Sequence, residues 1–170
     1  SDFRVNKAAE LEKAVENELS YLCMQGARFS VAMEAKERDG HVVFGADGID
    51  NVEFLISANL GEALKPLAKT ASGGELSRVM LALDNILAGD CGTLVFDEID
   101  TGLSGIAASR VAERLSRSAT NSQVLCVTHL SQLAAMADAH FLISKSSDEE
   151  RTYTSVTELD TYGRVTELAR

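Results

Sequence analysis

Several residue types and patterns that mark specialised proteins are rare or missing in this chain. Its 170 residues include no tryptophan, one proline and three cysteines, and no apolar run approaches the roughly 18 residues of a membrane span. Cys23, Cys91 and Cys126 lie far apart and form no CxxC pair, which argues against a disulfide framework or a zinc site. No signal peptide is visible. These absences favour a globular protein of the reducing cytoplasm.

Clusters of lysine and arginine are also missing. The formal net charge is −10, and 45% of the residues are hydrophobic and 25% charged. Because the DNA phosphate backbone rewards clustered cations, this balance argues against a free-standing nucleic-acid-binding module, although a larger assembly containing the chain could act on DNA. The length suits one domain with a substantial core. Since the chain begins at Ser1 without methionine and stops at "TELAR", we expect it to be a piece of a longer protein.

Hydrophobic patterns predict an α/β fold. Residues 2–25 carry an apolar stripe at helical spacing, and the continuous apolar runs at 93–96 and 123–128 are typical of strands buried on both faces of a parallel sheet. The predicted elements are a helix at 2–25 stopped by Gly26, strands at 28–34, 41–44 and 52–57, a helix at about 75–88 ended by Gly89, strands at 93–96 and 123–128 joined by a crossover helix at 105–119, a helix at 131–137, and strands at 140–144 and 152–159 around a charged turn at 145–151. The fold class is therefore α/β, with a largely parallel sheet, flanking helices and a short antiparallel strand region.

Two adjacent glycines stand where the best-patterned helix begins. In "KTASGGELSR" (69–78), Gly73 and Gly74 occupy the first turn, although glycine costs about 1 kcal/mol relative to alanine in a helix interior. Ser72 and Glu75 read as a capping box, which leaves the glycines unexplained. A helix N-terminus with bare backbone N–H groups is also an anion site, so phosphate binding stands beside plain capping as an interpretation. The apolar stripe that follows comprises Leu76, Val79, Met80, Leu83, Ile86 and Leu87.

Polar side chains follow both buried strands. Asp97, Glu98 and Asp100 come directly after "TLVF" (93–96), and His129 follows the second strand in "VTHL" (127–130). The acids could simply start a polar loop and the histidine could be structural. Alternatively, Asp97 would suit Mg²⁺, Glu98 would orient a water for attack on a phosphorus, and His129 would contact a terminal phosphate. Because parallel strands end at one edge of a sheet, the joint occurrence favours a nucleotide phosphate site.

These motifs together are those of a known group of ATPases. "SGGE" (72–75), "LVFDE" (94–98), "DTGLSG" (100–105) and "VTHL" occur in the order of the signature, Walker B, D-loop and switch histidine of ABC-type ATPases. The fuller strings resemble the RecN family of SMC-like bacterial DNA double-strand-break repair proteins, and the resemblance runs over most of the chain. It implies the C-terminal lobe of an ABC-type ATPase head, with residues 1–25 as the end of a coiled-coil helix and residues 26–170 as the lobe.

The resemblance also implies what the lobe works with. A P-loop reads GxxxxGK[ST], and no glycine of this chain is followed by lysine. Proteins of this family carry that motif in an N-terminal lobe, and two heads close around two ATP molecules, so the expected partners are that lobe, a second copy and, through the whole assembly, DNA at the nucleoid. The implied roles are Mg²⁺ binding for Asp97, water positioning for Glu98, γ-phosphate sensing for His129, contact with the opposite head's ATP for Ser72, Gly73, Gly74 and Glu75, and a bridge between heads for Asp100.

Two alternatives remain open at this point. The chain could be a lobe of another SMC-like or ABC head, including a transporter subunit, although a transporter would carry a P-loop in the same chain. It could also be a non-catalytic interaction module that keeps the fold. Intact Asp97, Glu98 and His129 argue against such a module.

Overall fold

A helix and an antiparallel sheet make up the first half of the molecule. The computed structural model describes residues 2–69, 73–87, 92–147 and 151–169. The elements of the first half are α1 (Asp2–Tyr21), β1 (Arg28–Ala35), β2 (Glu37–Arg38), β3 (His41–Val42), β4 (Asp50–Ser57), β5 (Lys65–Pro66) and a 3₁₀ turn (Leu67–Lys69). Strands β1 and β4 pair along their whole length, and β5 adds a short third strand beside β4. The small β2–β3 hairpin stands apart from this sheet.

Helices and a parallel strand pair make up the second half. Its elements are α2 (Gly73–Leu87), β6 (Thr93–Phe96), α3 (Ile106–Ser118), β7 (Gln123–Cys126), α4 (Ser131–Ala135), β8 (Phe141–Ser147), β9 (Thr152–Glu158) and α5 (Thr161–Leu168). Strands β6 and β7 run parallel, with α3 as the crossover helix between them, as predicted. Strands β8 and β9 form an antiparallel hairpin. No helix within the described ranges is long and apolar enough to cross a membrane.

The α/β class is confirmed, but the balance of strand directions differs from the expectation of a largely parallel sheet. Among the strands that the structure describes, only β6 and β7 pair in parallel. The last two strands are joined by a short connection, which allows a hairpin but cannot make the crossover that a parallel pair needs. Strand β8 also continues to Ser147, so the first three residues of the predicted charged turn at 145–151 are strand. Residues 148–150 and the predicted helix stop at Gly89 lie outside the described residues.

The first helix is tied to the sheet and to α3 by its acidic side chains. Glu12 accepts the backbone N–H of Val31 at 2.7 Å, and Glu16 accepts that of Phe29 at 3.1 Å. Glu18 forms an ion pair with Arg114 of α3, whose guanidinium stacks 3.9 Å from the Tyr21 ring centre. The helix ends at Tyr21, earlier than Gly26 predicted, since Met24 donates to the carbonyl of Leu19 and closes the last turn.

The core joins both halves, and α2 is turned differently from its predicted stripe. Buried core residues come from α1, β1, β4, α2, β6 and α3, and include Val15, Leu19, Leu22, Phe29, Ile56, Val79, Leu81, Phe96, Val111 and Leu115. Helix α2 buries Val79 and Leu83 as predicted, but Met80 is 48% exposed and Leu87 62% exposed, while Arg78 is buried. The reason is that α2 packs on both α1 and α3, so its buried face is rotated away from Met80 and Leu87 towards Arg78, Leu81 and Ala82.

One face of the parallel pair is open, contrary to the prediction of strands buried on both faces. Phe96 points to the core, but Val95 is 68% exposed and Leu125 49% exposed. Helix α3 covers the other face. A parallel sheet is normally covered on both faces, so this apolar face requires a cover that the chain itself does not supply within the described residues.

Candidate functional site

The two glycines of α2 lie directly against the loop that follows β6. A Cβ atom added to Gly73 would lie 2.4 Å from a carboxylate oxygen of Glu98. A Cβ added to Gly74 would lie 2.8 Å from the carbonyl oxygen of Glu98 and 3.0 Å from the Cβ of Thr101. At Gly74 the neighbours are a backbone oxygen and a Cβ, so the helix can approach this loop only with glycine there, whereas at Gly73 an added Cβ would displace the flexible end of the Glu98 side chain. The weak helix start thus has a cause within the lobe itself; Ser72 lies outside the described residues.

The second turn of α2 forms hydrogen bonds with the backbone of the same loop. The hydroxyl of Ser77 donates to the carbonyl of Asp97 at 2.8 Å. The guanidinium of Arg78 donates from Nη1 to the carbonyls of Ile99 at 3.3 Å and Thr101 at 3.1 Å. Arg78 is only 8% exposed, and this burial lowers the pKa of its guanidinium. The negative charge of half-buried Glu75, in the first turn, acts in the opposite direction and raises that pKa, but by less. Arg78 thus joins the site.

The site predicted from the sequence leaves out Arg78, although a signal for it exists. Gly74, Arg78 and Ala82 stand four residues apart, which places them on one face of a helix. All three are buried. An arginine on the face that begins with a close-approach glycine could therefore have been assigned to the loop contact rather than to solvent.

The two carboxylates expected to act on a metal and a water are both at the surface. Asp97 and Glu98 are exposed at the carboxyl end of β6. Glu98 has a φ of 57°, a left-handed backbone conformation that is uncommon for a residue with a side chain and costs about 1–3 kcal/mol. Such a conformation persists only where neighbouring contacts impose it. The turn is closed by Thr101, whose N–H donates to the carbonyl of Glu98 at 3.0 Å.

Asp100 points inward and holds the end of β7. Its side chain is 3% exposed, and it accepts hydrogen bonds from the Thr128 hydroxyl and from the backbone N–H of His129 at 2.9 Å. Burial alone would raise the pKa of Asp100, but the hydrogen bonds from Thr128 and His129 outweigh it and leave the pKa below its usual range. The expected bridge between heads stays a prediction, since within this lobe the carboxylate is already engaged by the strand end.

The same carboxylate sets the orientation of the exposed histidine. The His129 side chain is 73% exposed, and its Nδ1 lies 3.1 Å from the Asp100 carboxylate. With Nδ1–H donating to the carboxylate, the other ring nitrogen, Nε2, is the one left to meet a ligand. Asp100 and His129 thus form a pair in which the acid positions the ring.

Replacing Asp100 should lower the stability of the fold and make that stability less dependent on pH in the acid range. For Asp100→Asn we expect a loss of about 1.5–3 kcal/mol of folding free energy, because hydrogen bonds to a buried carboxylate are charge-assisted. A depressed folded-state pKa contributes stability that is complete above the unfolded value of about 4 and is lost as the pH falls through the folded value. Acid unfolding followed by circular dichroism should therefore flatten in this variant. Asp39→Asn, in an exposed hairpin turn, is the control, and identical acid profiles for Asp100→Asn and the parent would contradict the assignment.

Exposed Asp97 is placed to take a metal ion as a single carboxylate ligand. Among the described residues, no group of three histidine, cysteine, aspartate or glutamate side chains could hold a metal. Magnesium in nucleotide sites keeps several waters and takes one or two carboxylates plus the phosphates, so exposed Asp97 fits as a single ligand beside a bound nucleotide. The negative field there is visible at Cys126, whose thiol pKa rises to about 11 through burial, with Asp100 and Asp97 adding to it.

The structure thus brings most predicted site residues to one edge. Gly73 and Gly74 contact the Glu98 loop, and the same loop holds His129 through Asp100. The result is a surface where backbone N–H groups of a helix start, two carboxylates and a positioned imidazole come together. That set can bind phosphate, position a water and contact a phosphate oxygen.

Comparisons with known proteins point in one direction. No protein-family model matches the chain. The DNA repair protein RecN of Halalkalibacterium halodurans is 43% identical over 172 residues, covering 100% of this chain and 30% of that protein. RecN of Treponema pallidum is 49% identical over 159 residues, covering 92% of this chain and 28% of that protein. The chain therefore spans about a third of the length of these relatives.

Solved structures agree on the fold. The Smc head domain of Pyrococcus yayanosii superposes with a TM-score of 0.60 at 23% identity, covering 98% of this chain and 29% of that chain. The Smc head domain of Pyrococcus furiosus superposes with a TM-score of 0.57 at 21% identity, covering 98% and 38% respectively. At these identities the match establishes an SMC-head type of fold and nothing further, and the higher identity to RecN separates this chain from other SMC-like heads.

Proposed function

Because this chain belongs to the RecN family of DNA repair proteins, we propose that it is the C-terminal lobe of an ATPase head that hydrolyses ATP during DNA double-strand-break repair and recombination. The observation that carries the proposal is the contact of the glycine-led start of α2 with the loop of Asp97, Glu98 and Asp100. This contact supports the proposal because it would link the groups that meet the opposite head's ATP to those that act on the ATP of the same head.

Each side chain has a defined part in this function. Asp97 would hold Mg²⁺, which neutralises charge on the phosphates when it is bound. Glu98 would position and polarise the attacking water, and His129, oriented by Asp100, would present Nε2 to the γ-phosphate. Ser72, Gly73, Gly74 and Glu75 would meet the γ-phosphate of ATP held by the opposite head, through the N–H groups at the start of α2.

The open face of the β6–β7 pair is an argument that a second lobe packs against this chain. Val95, Leu125 and Val127 form an exposed apolar surface on strands of the type that is normally covered. We propose that the N-terminal lobe, which would also bring the P-loop, covers this face, and that two such heads dimerise around two ATP molecules. The segment 1–25, in which helix α1 ends at Tyr21, would be the end of the coiled coil, and residues 26–170 would be the lobe. Exposed Phe3 and Val5 at the start of α1 suit a partner helix there.

DNA binding belongs to other parts of the protein in this proposal. The net charge of −10 does not favour phosphate backbone contacts by this lobe. The intact protein would act on DNA at the nucleoid in the cytoplasm. A non-catalytic module with this fold is the competing proposal.

Comparison of the lobe with the intact protein tests the function. We expect the isolated chain to bind Mg·ATP weakly and not to turn it over, because the P-loop lysine and amides that cradle the β- and γ-phosphates are missing. The intact protein should hydrolyse ATP, measured as phosphate release. Separately produced N-terminal lobe added to this chain should restore part of the activity. Robust Mg²⁺-dependent hydrolysis by residues 1–170 alone, or none by the intact protein, would contradict the proposal.

A further inference from the structure

The side chains of Ser77 and Arg78 fasten α2 to the loop on both sides of Glu98. Ser77 holds the carbonyl of Asp97, directly before Glu98, and Arg78 holds that of Ile99, directly after it. Arg78 reaches one step further to Thr101, whose N–H closes the turn on the Glu98 carbonyl. The backbone is therefore held from α2 at the peptide before Glu98, through the Asp97 carbonyl, and at the peptide after Ile99, so the short segment that contains Glu98 is fixed on both sides.

Burial of the charged Arg78 guanidinium costs free energy of folding unless its hydrogen bonds compensate. Its Nε is buried without a hydrogen-bond partner, so the lobe leaves one donor unsatisfied while using another for two carbonyls. An apolar side chain of similar size would fill the same space without this cost. Both hydrogen bonds come from Nη1, whose two N–H groups have fixed directions in the planar guanidinium, whereas the three N–H donors of an ammonium group rotate and set the geometry less firmly.

The conformation of Glu98 needs such support. A left-handed backbone at a residue with a side chain persists where surrounding contacts impose it. The contacts on either side of Glu98 come from Ser77 and Arg78, and the contact on its carbonyl comes from Gly74 and Thr101. Any displacement of α2 therefore shifts the backbone that aims the Glu98 carboxylate.

We propose that Arg78, assisted by Ser77, is a positioning residue that makes the start of α2 and Glu98 of the same lobe move as one unit. The inference rests on the proposed function, in which α2 meets ATP held by the opposite head while Glu98 acts on ATP held by its own head. Engagement of one ATP by α2 then sets the water-positioning geometry at the other ATP. The two sites of the dimer are coupled through this short connection.

Substitution of Arg78 in the intact protein gives the first test. We expect Arg78→Met to lower kcat by about 10²-fold, the cost of misplacing a reacting group by about 1 Å, with the KM for ATP and ATP-dependent dimerisation retained. Arg78→Lys should give an intermediate kcat, because the rotating donors of a flexible ammonium group hold the two carbonyls less firmly than the planar guanidinium does. Arg38→Met, at an exposed site on β2, is the matched control. Ser77→Ala, which removes one hydroxyl, keeps the test available if Arg78→Met does not fold. An unchanged kcat in the folded variants would overturn the inference.

Dimers of two different heads give the sharper test, because they show whether Arg78 acts on Glu98 of its own lobe or on Glu98 of the partner lobe. One head carries both Arg78→Met and Glu98→Gln and is paired with an unmodified head; in the second arrangement the two changes are on opposite heads. If Arg78 acts on Glu98 of its own lobe, the first dimer keeps one intact site and about half of the rate, and the second keeps almost none. The reverse order, or equal rates in both arrangements, would overturn the inference.

One further measurement separates this inference from the function on which it rests. A dimer with Glu98→Gln in both heads must have lost hydrolysis. If that dimer hydrolyses ATP at the parent rate, the proposed role of Glu98 is wrong. If it is inactive and the mixed dimers give equal rates, only the positioning role of Arg78 is wrong.

Discussion

Glu98→Gln in the intact protein is expected to lower ATP hydrolysis by about 10²–10⁴-fold, the usual cost of losing a group that positions or deprotonates the attacking water. The substitution keeps the size of the side chain and removes its charge. Glu98 is exposed and its carboxylate makes no contact that the core requires, so folding should not change. ATP binding and ATP-dependent pairing of the heads should survive, since neither uses this charge.

The measurement combines phosphate release, binding of a fluorescent ATP analogue and light scattering with ATP present. Glu53→Gln, at an exposed position on β4, is the matched control and should leave all three readouts unchanged. Hydrolysis within tenfold of the parent rate would contradict the assignment of Glu98. Loss of nucleotide binding together with hydrolysis would point instead to a structural role.

Gly73→Asp is expected to abolish ATP-dependent pairing of the heads while each head still binds ATP at its own P-loop. The new carboxylate would stand where Gly73 now meets the Glu98 carboxylate, and beside the γ-phosphate that arrives with the partner. Like charges brought together at an interface cost several kcal/mol, which corresponds to about 10²-fold or more in dimer affinity. Light scattering with ATP and fluorescent nucleotide binding separate the two effects.

Two companion substitutions show which contact causes the loss. Gly92→Asp adds the same charge at the start of β6, where an added side chain meets nothing within 4 Å, and should pair normally. Gly73→Ala displaces only the end of the Glu98 side chain, so hydrolysis should fall while pairing is kept. If Gly73→Asp dimerises as well as Gly92→Asp, the glycines serve the contact with Glu98 alone and not a phosphate from the partner.

The position of the candidate site could be predicted because it depends on strand ends. Two apolar runs of parallel-strand character, each followed by polar residues, must end at the same edge of a sheet, and the structure pairs Phe96 with Cys126 there. The glycine pair at the start of α2 could also be recognised as a close-approach feature. What approaches it could not be predicted, because the nearest atoms belong to Glu98 and Thr101, more than twenty residues away along the chain.

The direction of individual side chains was decided by packing between distant elements. Asp97 and Asp100 are both acids in one loop, yet Asp97 is exposed and Asp100 is buried against Thr128 and His129. Spacing alone does not distinguish them, because the turn at Glu98 rotates the chain between the two. The conformation at Glu98 is held by the hydrogen bonds from Ser77 and Arg78 of α2.

The sequence by itself determined the α/β class, the order of the motifs and the absence of a P-loop, because these depend on local periodicity and on residue identity. Only the tertiary structure decided that Arg78 lies inside the lobe, that Met80 and Leu87 face outward, and that one face of the β6–β7 pair is open. The physical reason is that periodicity reports which residues share a face, whereas burial depends on what packs there. For this chain those neighbours are α1, α3 and the loop after β6.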